Sequence, residues 1–179
     1  MRKVIHKWFW AWEADKEEKW LAEMSAKGLG LASVGFGRYE FEDCTPGEYQ
    51  YRLEFLEHLP THPESVQYIK FVEDTGAEQI GSITRWVYFR KKTADGPFDL
   101  FSDNASRIKH LSRIIALLLT LNVFNIFAGC YNIALAITLD SPGNYIGILN
   151  LIIGTLLFYG VFRLNRQRKA LKKEQQIFE

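Results

Sequence analysis

The run IIALLLTLNVFNIFAGCYNIALAITL occupies residues 114–139, and YIGILNLIIGTLLFYGVF occupies residues 145–162. Neither stretch contains a charged side chain. At about 1.5 Å of rise per helical residue, each covers or nearly covers a hydrocarbon core of about 30 Å. They predict two transmembrane helices, 114–139 and 145–163. The external turn between them is 140–144, where Pro142 and Gly143 break the helix. The alternative, one buried helical hairpin in a soluble protein, needs more surrounding protein than a 179-residue chain supplies.

The flanks carry the orientation signal. Arg107, Lys109 and Arg113 precede the first span, and Arg163, Arg166, Arg168, Lys169, Lys172 and Lys173 follow the second, while the turn holds Asp140. The excess of cations on one side predicts that both termini are cytoplasmic and that these side chains meet lipid headgroups. Each is worth about 1 kcal/mol near an anionic surface. Within the spans, Asn122, Asn125, Gly129 and Asn132 form one stripe, and Gly143, Gly147, Asn150 and Gly154 form a second, at spacings of three and four. Small residues permit close backbone approach and amides need partners in lipid, so the stripes predict helix–helix packing within the chain or with a second copy. Neither run has an ionisable carboxylate or base, the usual marker of an ion or proton path.

The remaining charge is segregated. Residues 1–105 hold 18 acidic and 13 basic side chains, while the whole chain is at +1. An acidic N-terminal domain argues against nucleic-acid binding. Cys44 and Cys130 are too few and too differently placed for a disulfide framework. The start, Met1-Arg2-Lys3, leads into a segment interrupted by His6 and Lys7, unlike a secretory signal peptide.

Residues 1–95 read as strand, helix, strand, strand, helix, strand. Lys3 to Trp12 alternates, with Trp8, Trp10 and Trp12 on one face and Ile5, Phe9 and Ala11 on the other. Asp15 and Glu18 have capping-box spacing before a helix that buries Trp20, Leu21 and Met24 and stops at Gly28. Leu31–Glu42 and Glu48–Leu56 predict a β-hairpin about Pro46-Gly47. A second helix starts near Thr61, Pro63 and Glu64, with Val66, Ile69 and Val72 inward, and Gln79–Lys91 is the last strand. This order, with both helices on one side of an antiparallel sheet, predicts an α+β, ferredoxin-like βαββαβ domain.

On that plan the open sheet face carries Trp8, Trp10 and Trp12, near Trp86 and Tyr88, with Arg52 beside them. An exposed aromatic patch marks an interaction surface. It fits a homodimer contact, a platform for a peptide or small amphiphile, or a surface covered by Phe98 to Phe101. Residues 96–113 are a juxtamembrane neck, with Ser102 or Asp103 capping its helix and Phe98, Leu100 and Phe101 near the headgroups. Residues 164–179 are a basic cytoplasmic tail.

Other patterns carry less. Gly35-Phe36-Gly37-Arg38-Tyr39-Glu40-Phe41 partly matches an aromatic RNA-recognition signature, but on the second strand rather than the third, and in an acidic domain. His58 and His62 have metal-like spacing, yet Pro60 and Pro63 interrupt a helix there and no third ligand is evident, so a polar loop is expected and no metal or other cofactor. Glu17/Glu18 and Glu73/Asp74 read as helix-dipole complements and solvated surface. No P-loop, nucleophile elbow or paired-cysteine site is present, and no enzyme activity is expected.

Lys7-Trp8-Phe9-Trp10-Ala11-Trp12, Glu17-Glu18-Lys19-Trp20-Leu21, Met24-Ser25-Ala26-Lys27-Gly28, Gly37-Arg38-Tyr39-Glu40-Phe41, Tyr49-Gln50-Tyr51-Arg52-Leu53 and Trp86-Val87-Tyr88-Phe89-Arg90-Lys91 together resemble the bacterial domain-of-unknown-function family numbered 2812. The resemblance covers about residues 5 to 113. It implies a small protein of the bacterial cytoplasmic membrane, often encoded beside PadR-type transcription regulators, acting in a stress or envelope response. It transfers no catalytic residue. The expected function is a membrane-anchored regulatory or sensory protein whose cytoplasmic domain binds a partner protein or small amphiphile. Its partners would be the lipid bilayer and a second copy, a membrane protein or a regulator. The alternative is a non-catalytic accessory subunit of a membrane transporter.

Overall fold

The computed structural model describes residues 2–101, 103–138 and 146–178, with side chains described as far as Gln175. The chain divides into two units, residues 1–106 and 107–179. It is a mixed α+β protein with two three-stranded sheets and two long apolar helices at its C-terminal end.

The first unit runs β1 (Lys3–His6), a 3-10 turn (Ala11–Glu13), α1 (Ala14–Ala26), β2 (Leu29–Gly35), β3 (Arg38–Asp43), β4 (Tyr49–Phe55), α2 (Pro63–Glu73), β5 (Glu78–Ile83) and β6 (Trp86–Lys92). All pairs are antiparallel, in the orders β1-β3-β2 and β4-β6-β5. Strand–helix–strand–strand therefore occurs twice, with the last strand of each set central. Even the irregularities correspond, since β2 bulges between Leu31 and Ser33 and β5 between Gln79 and Gly81.

This differs from the single ferredoxin-like sheet expected. Leu31–Glu42 folds back on itself at Phe36-Gly37, where Gly37 has φ +64°, and Gln79–Lys91 does so at Thr84-Arg85, where Thr84 has φ +54°. A left-handed threonine is uncommon, so the second reversal has no glycine signal in the sequence. The turn at Pro46-Gly47 does form, with the Glu48 N–H donating to Thr45 O at 3.0 Å. It does not close a hairpin, because β3 and β4 belong to different sheets. The C-terminal end of α1 diverts the chain: Ser25 accepts from the Gly47 N–H through its carbonyl (2.8 Å) and from the Tyr49 N–H through its hydroxyl (3.1 Å).

Two apolar clusters hold the unit. Leu21 and Met24 of α1 meet Leu31, Tyr39, Phe41, Tyr51, Leu53 and Tyr88 from both sheets. Ile69 and Val72 of α2 meet Leu56, Ala77, Val87, Phe89 and Phe98. Alternation along β6 sends Tyr88 to one cluster and Val87 and Phe89 to the other, so this sheet is buried on both faces. The helices thus lie on opposite faces of it, not on one side as expected. Each fully buried side chain of this size contributes about 1.5–3 kcal/mol. Where β5 approaches β2, a Cβ on Gly81 would stand 3.2 Å from Val34 Cγ1, so glycine relieves a tight contact there.

Two smaller expectations are also corrected. Val66 is exposed and Ser65 takes the inner position on α2. Phe98, expected near headgroups, is buried in the α2 cluster, with Leu100 packed on it. Gln50 holds that segment, accepting from the Phe98 N–H at 3.3 Å and donating to Gly96 O at 3.1 Å.

α3 (Asn104–Thr138) begins at the end of the first unit and makes up the second together with α4 (Ile146–Phe178). Both are long and apolar enough to cross a membrane. Asp103 caps α3, accepting from the Ser106 N–H at 2.6 Å, so the neck is helical from Asn104. The expected external turn 140–144, Gly143 and the alternative cap Ser102 lie outside the described residues.

Candidate functional site

The aromatic segment is not a continuing strand. After His6 the Lys7 N–H still donates to Gly37 O (3.1 Å), but the chain then enters a turn: the Glu13 N–H donates to Trp10 O (2.8 Å) and Glu13 Oε2 accepts from the Trp10 N–H (3.3 Å). The turn gathers rings that strict alternation would have spaced along an edge. Trp8 meets Phe36 edge-on at 5.0 Å and Trp10 at 5.8 Å, and Trp10 stacks on Trp12 at 5.1 Å. Trp12 is 4% exposed, whereas Trp8 is 51% and Phe36 76% exposed, so Trp12 is the base and Trp8 and Phe36 the tip. Phe9 points inward against Trp20 and Tyr39, and Lys7 Nζ lies 4.6 Å over the Trp20 ring.

The other expected members lie elsewhere. Trp86 is partly buried beside Phe55 at 5.1 Å. Tyr88 is in the core. Arg52 lies on the opposite face of β4, its Nη1 donating to Tyr51 O at 2.8 Å and its guanidinium 6.0 Å over the Phe98 ring. The ring cluster is therefore Trp8, Trp10 and Trp12 with Phe36, a residue that the sequence placed only in an RNA-like decoy.

Within the same unit is a buried carboxylate, Glu17, where a solvated surface position is expected from the sequence. Glu17 is 6% exposed, and its Oε1 accepts from both the Tyr39 hydroxyl of β3 and the Tyr88 hydroxyl of β6, each at 2.7 Å. One oxygen thus joins α1 to both sheets. Burial raises the Glu17 pKa, against the lowering effect of the two hydroxyls, and burial first, then the Glu17 charge, raises both tyrosines. Glu18, expected in a capping box, instead accepts from the Leu53 N–H of β4 at 2.7 Å. Its carboxyl is raised to about 7, mainly by burial, with the Leu53 hydrogen bond and Arg52 opposing.

A second tie between the sheets comes from Arg90 on β6. Its Nη1 donates to Leu31 O (2.9 Å) and Glu42 Oε1 (3.2 Å), its Nε to Glu78 Oε2 (2.8 Å), and its guanidinium covers Tyr49 at 4.6 Å. The signal for Glu17 in the sequence is its position one turn before Leu21, on the buried face of α1, although charged residues are rarely buried.

In the helix pair the two stripes face each other. A Cβ on Gly129 would lie 3.1 Å from Asn150 Cβ, one on Gly147 3.2 Å from Gly129 O, and one on Gly154 3.2 Å from Asn122 Oδ1. Asn125 Nδ2 donates to Asn150 O across the pair. Asn132 turns back to Ala128 O at 2.8 Å on its own helix. Of the expected headgroup cations, Arg168 is engaged inside the pair, donating to Ser112 Oγ (3.3 Å) and Asn165 Oδ1 (2.8 Å).

The family model described as a protein of unknown function, DUF2812, matches residues 13–123. The chain belongs to this family. No curated protein and no solved structure matches it. The DUF2812 match takes in the Glu17–Tyr39–Tyr88 junction, strands β2 to β6 and the first part of α3.

Proposed function

We propose that this DUF2812 protein is a membrane-anchored regulatory or sensory protein, with α3 and α4 crossing the bilayer and both termini cytoplasmic. Its first unit binds a partner protein or small amphiphile. The observation that carries the reading is the exposed ring cluster, since Trp8 and Phe36 present large apolar surface at a tip held by backbone hydrogen bonds. Preorganised aromatic surface of this kind loses little conformational freedom on binding. The uncharged runs and the cation-rich flanks support the topology. A PadR-linked envelope or stress response is the setting implied by the family resemblance.

The accessory-subunit alternative uses the Asn/Gly stripes to meet a larger membrane protein. It has less support, because the stripes already face each other. The deciding experiment is affinity isolation of the full chain in mild detergent, alongside a Trp8→Ser, Phe36→Ser variant. A regulator recovered with the native chain and lost from the variant supports the proposal. A stoichiometric transporter recovered with both supports the alternative.

A further inference from the structure

We propose that His58, His62 and Glu64 form a binding site for a divalent first-row transition metal, zinc foremost, at the entry to α2. Sequence spacing alone showed two histidines without a third ligand. The fold supplies the third: one donor atom from each residue lies within 4.8 Å of those of the other two. His58 Nε2 is 3.5 Å from Glu64 Oε2, and the two imidazole rings face each other at 4.1 Å.

Two imidazoles and a carboxylate are the donor set of open zinc sites, with metal–ligand distances of about 2.0–2.2 Å. Donors on such an ion stand about 3–3.5 Å apart. Closing the present set to that spacing calls for rotation of the two stacked imidazoles about a turn whose backbone is hydrogen-bonded. The Leu56 N–H donates to Arg85 O at 2.9 Å and Arg85 Nε returns to Leu56 O at 2.8 Å. The His62 N–H donates to Leu59 O (2.9 Å), and its own carbonyl accepts from Val66 N–H (2.9 Å). Pro60 and Pro63 stiffen the same segment. His62 Nδ1 accepts from the Glu64 N–H at 3.4 Å, tying the second histidine to the backbone of the carboxylate ligand. The prolines that argued against a helical His-x-x-x-His site instead shape a turn that brings the donors together. Water completes the coordination of the exposed ion.

The test is zinc titration of the full-length, untagged protein in mild detergent against a chromophoric chelator. Cobalt absorption reports whether the donors are nitrogen and oxygen or thiolate. The expected result is a single metal per chain, a nitrogen/oxygen spectrum, and a loss of affinity of at least about tenfold in His58→Gln and in Glu64→Gln. Both side chains are solvent-accessible, so the variants keep their far-ultraviolet circular dichroism. A Cys44→Ser, Cys130→Ser variant binds as the native chain does. Absence of binding, binding unchanged in His58→Gln and Glu64→Gln, or a thiolate spectrum would each overturn the site.

Discussion

The Tyr88 hydroxyl donates to Glu17 Oε1 at 2.7 Å, and through that oxygen the second sheet is joined to α1 and to Tyr39 of the first. A buried hydroxyl left without a partner costs about 1–3 kcal/mol. Glu17→Ala removes the acceptor that both hydroxyls share and is expected to destabilise the protein by about 2–5 kcal/mol. Glu17→Gln keeps an acceptor for both hydroxyls and removes the titratable group, so its cost is expected to stay within about 1.5 kcal/mol. Denaturant unfolding followed by tryptophan fluorescence measures both. A loss for Glu17→Ala no larger than that for Glu17→Gln would mean that the junction does not hold the sheets together.

Stability is expected to fall as pH rises from about 5 to about 8. Burial raises Glu18 from 4.5 to about 7 and shifts Glu17 in the same direction. The folded state therefore binds these protons more tightly than the unfolded chain. The Glu18 contribution is fully present below about 4.5 and is lost as pH climbs through about 7. Unfolding midpoints across that window give the slope, and Glu18→Gln should flatten it. A slope of opposite sign in the native chain would contradict the burial argument.

A Cβ added to Gly147 would come within 2.6 Å of Ile133 Cγ1 and 3.2 Å of Gly129 O. Overpacking of this kind costs about 1–3 kcal/mol, against a helix-propensity gain of about 1 kcal/mol for Gly→Ala. The clash is expected to win. Gly147→Ala should melt at lower temperature in detergent, while Ile152→Ala, on the outward surface, should change the melting temperature little. Equal melting of the two variants would show that the stripes are not the packing surface.

Trp8→Ser with Phe36→Ser should leave the fold near its native stability, because both rings are exposed and Trp12 still supports the turn. Surface substitutions of this type shift stability by about 0.5 kcal/mol or less. Loss of partner recovery without a shift in the unfolding midpoint would separate recognition from folding. A large destabilisation would instead make the cluster a structural one.

The legible parts of this chain were those set by neighbours along it. α1 and α2 follow from apolar residues three and four apart with Gly28 and Gly76 beyond their ends, and both glycines have positive φ. The face carrying Tyr49, Tyr51, Leu53 and Phe55 follows from simple alternation along β4. The reversal at Thr84 was illegible, since threonine carries no turn signal of the kind glycine does. Among the site residues, Trp8 and Trp10 were visible as large apolar side chains, but Phe36 joins them only through the hairpin that returns it beside Trp8.

By itself the sequence determined the two uncharged runs, the small-residue stripes, the cationic flanks and the two short helices. These depend on composition and period over one or two turns. Tertiary structure alone decided that the strands divide into two sheets of identical order, that Glu17 lies inside, and that Glu64 joins His58 and His62. Strand pairing and the desolvation of a carboxylate depend on groups that are distant along the chain. Glu17 and Tyr88 are 71 residues apart, and only the closed fold brings the hydroxyl that partners the buried carboxyl.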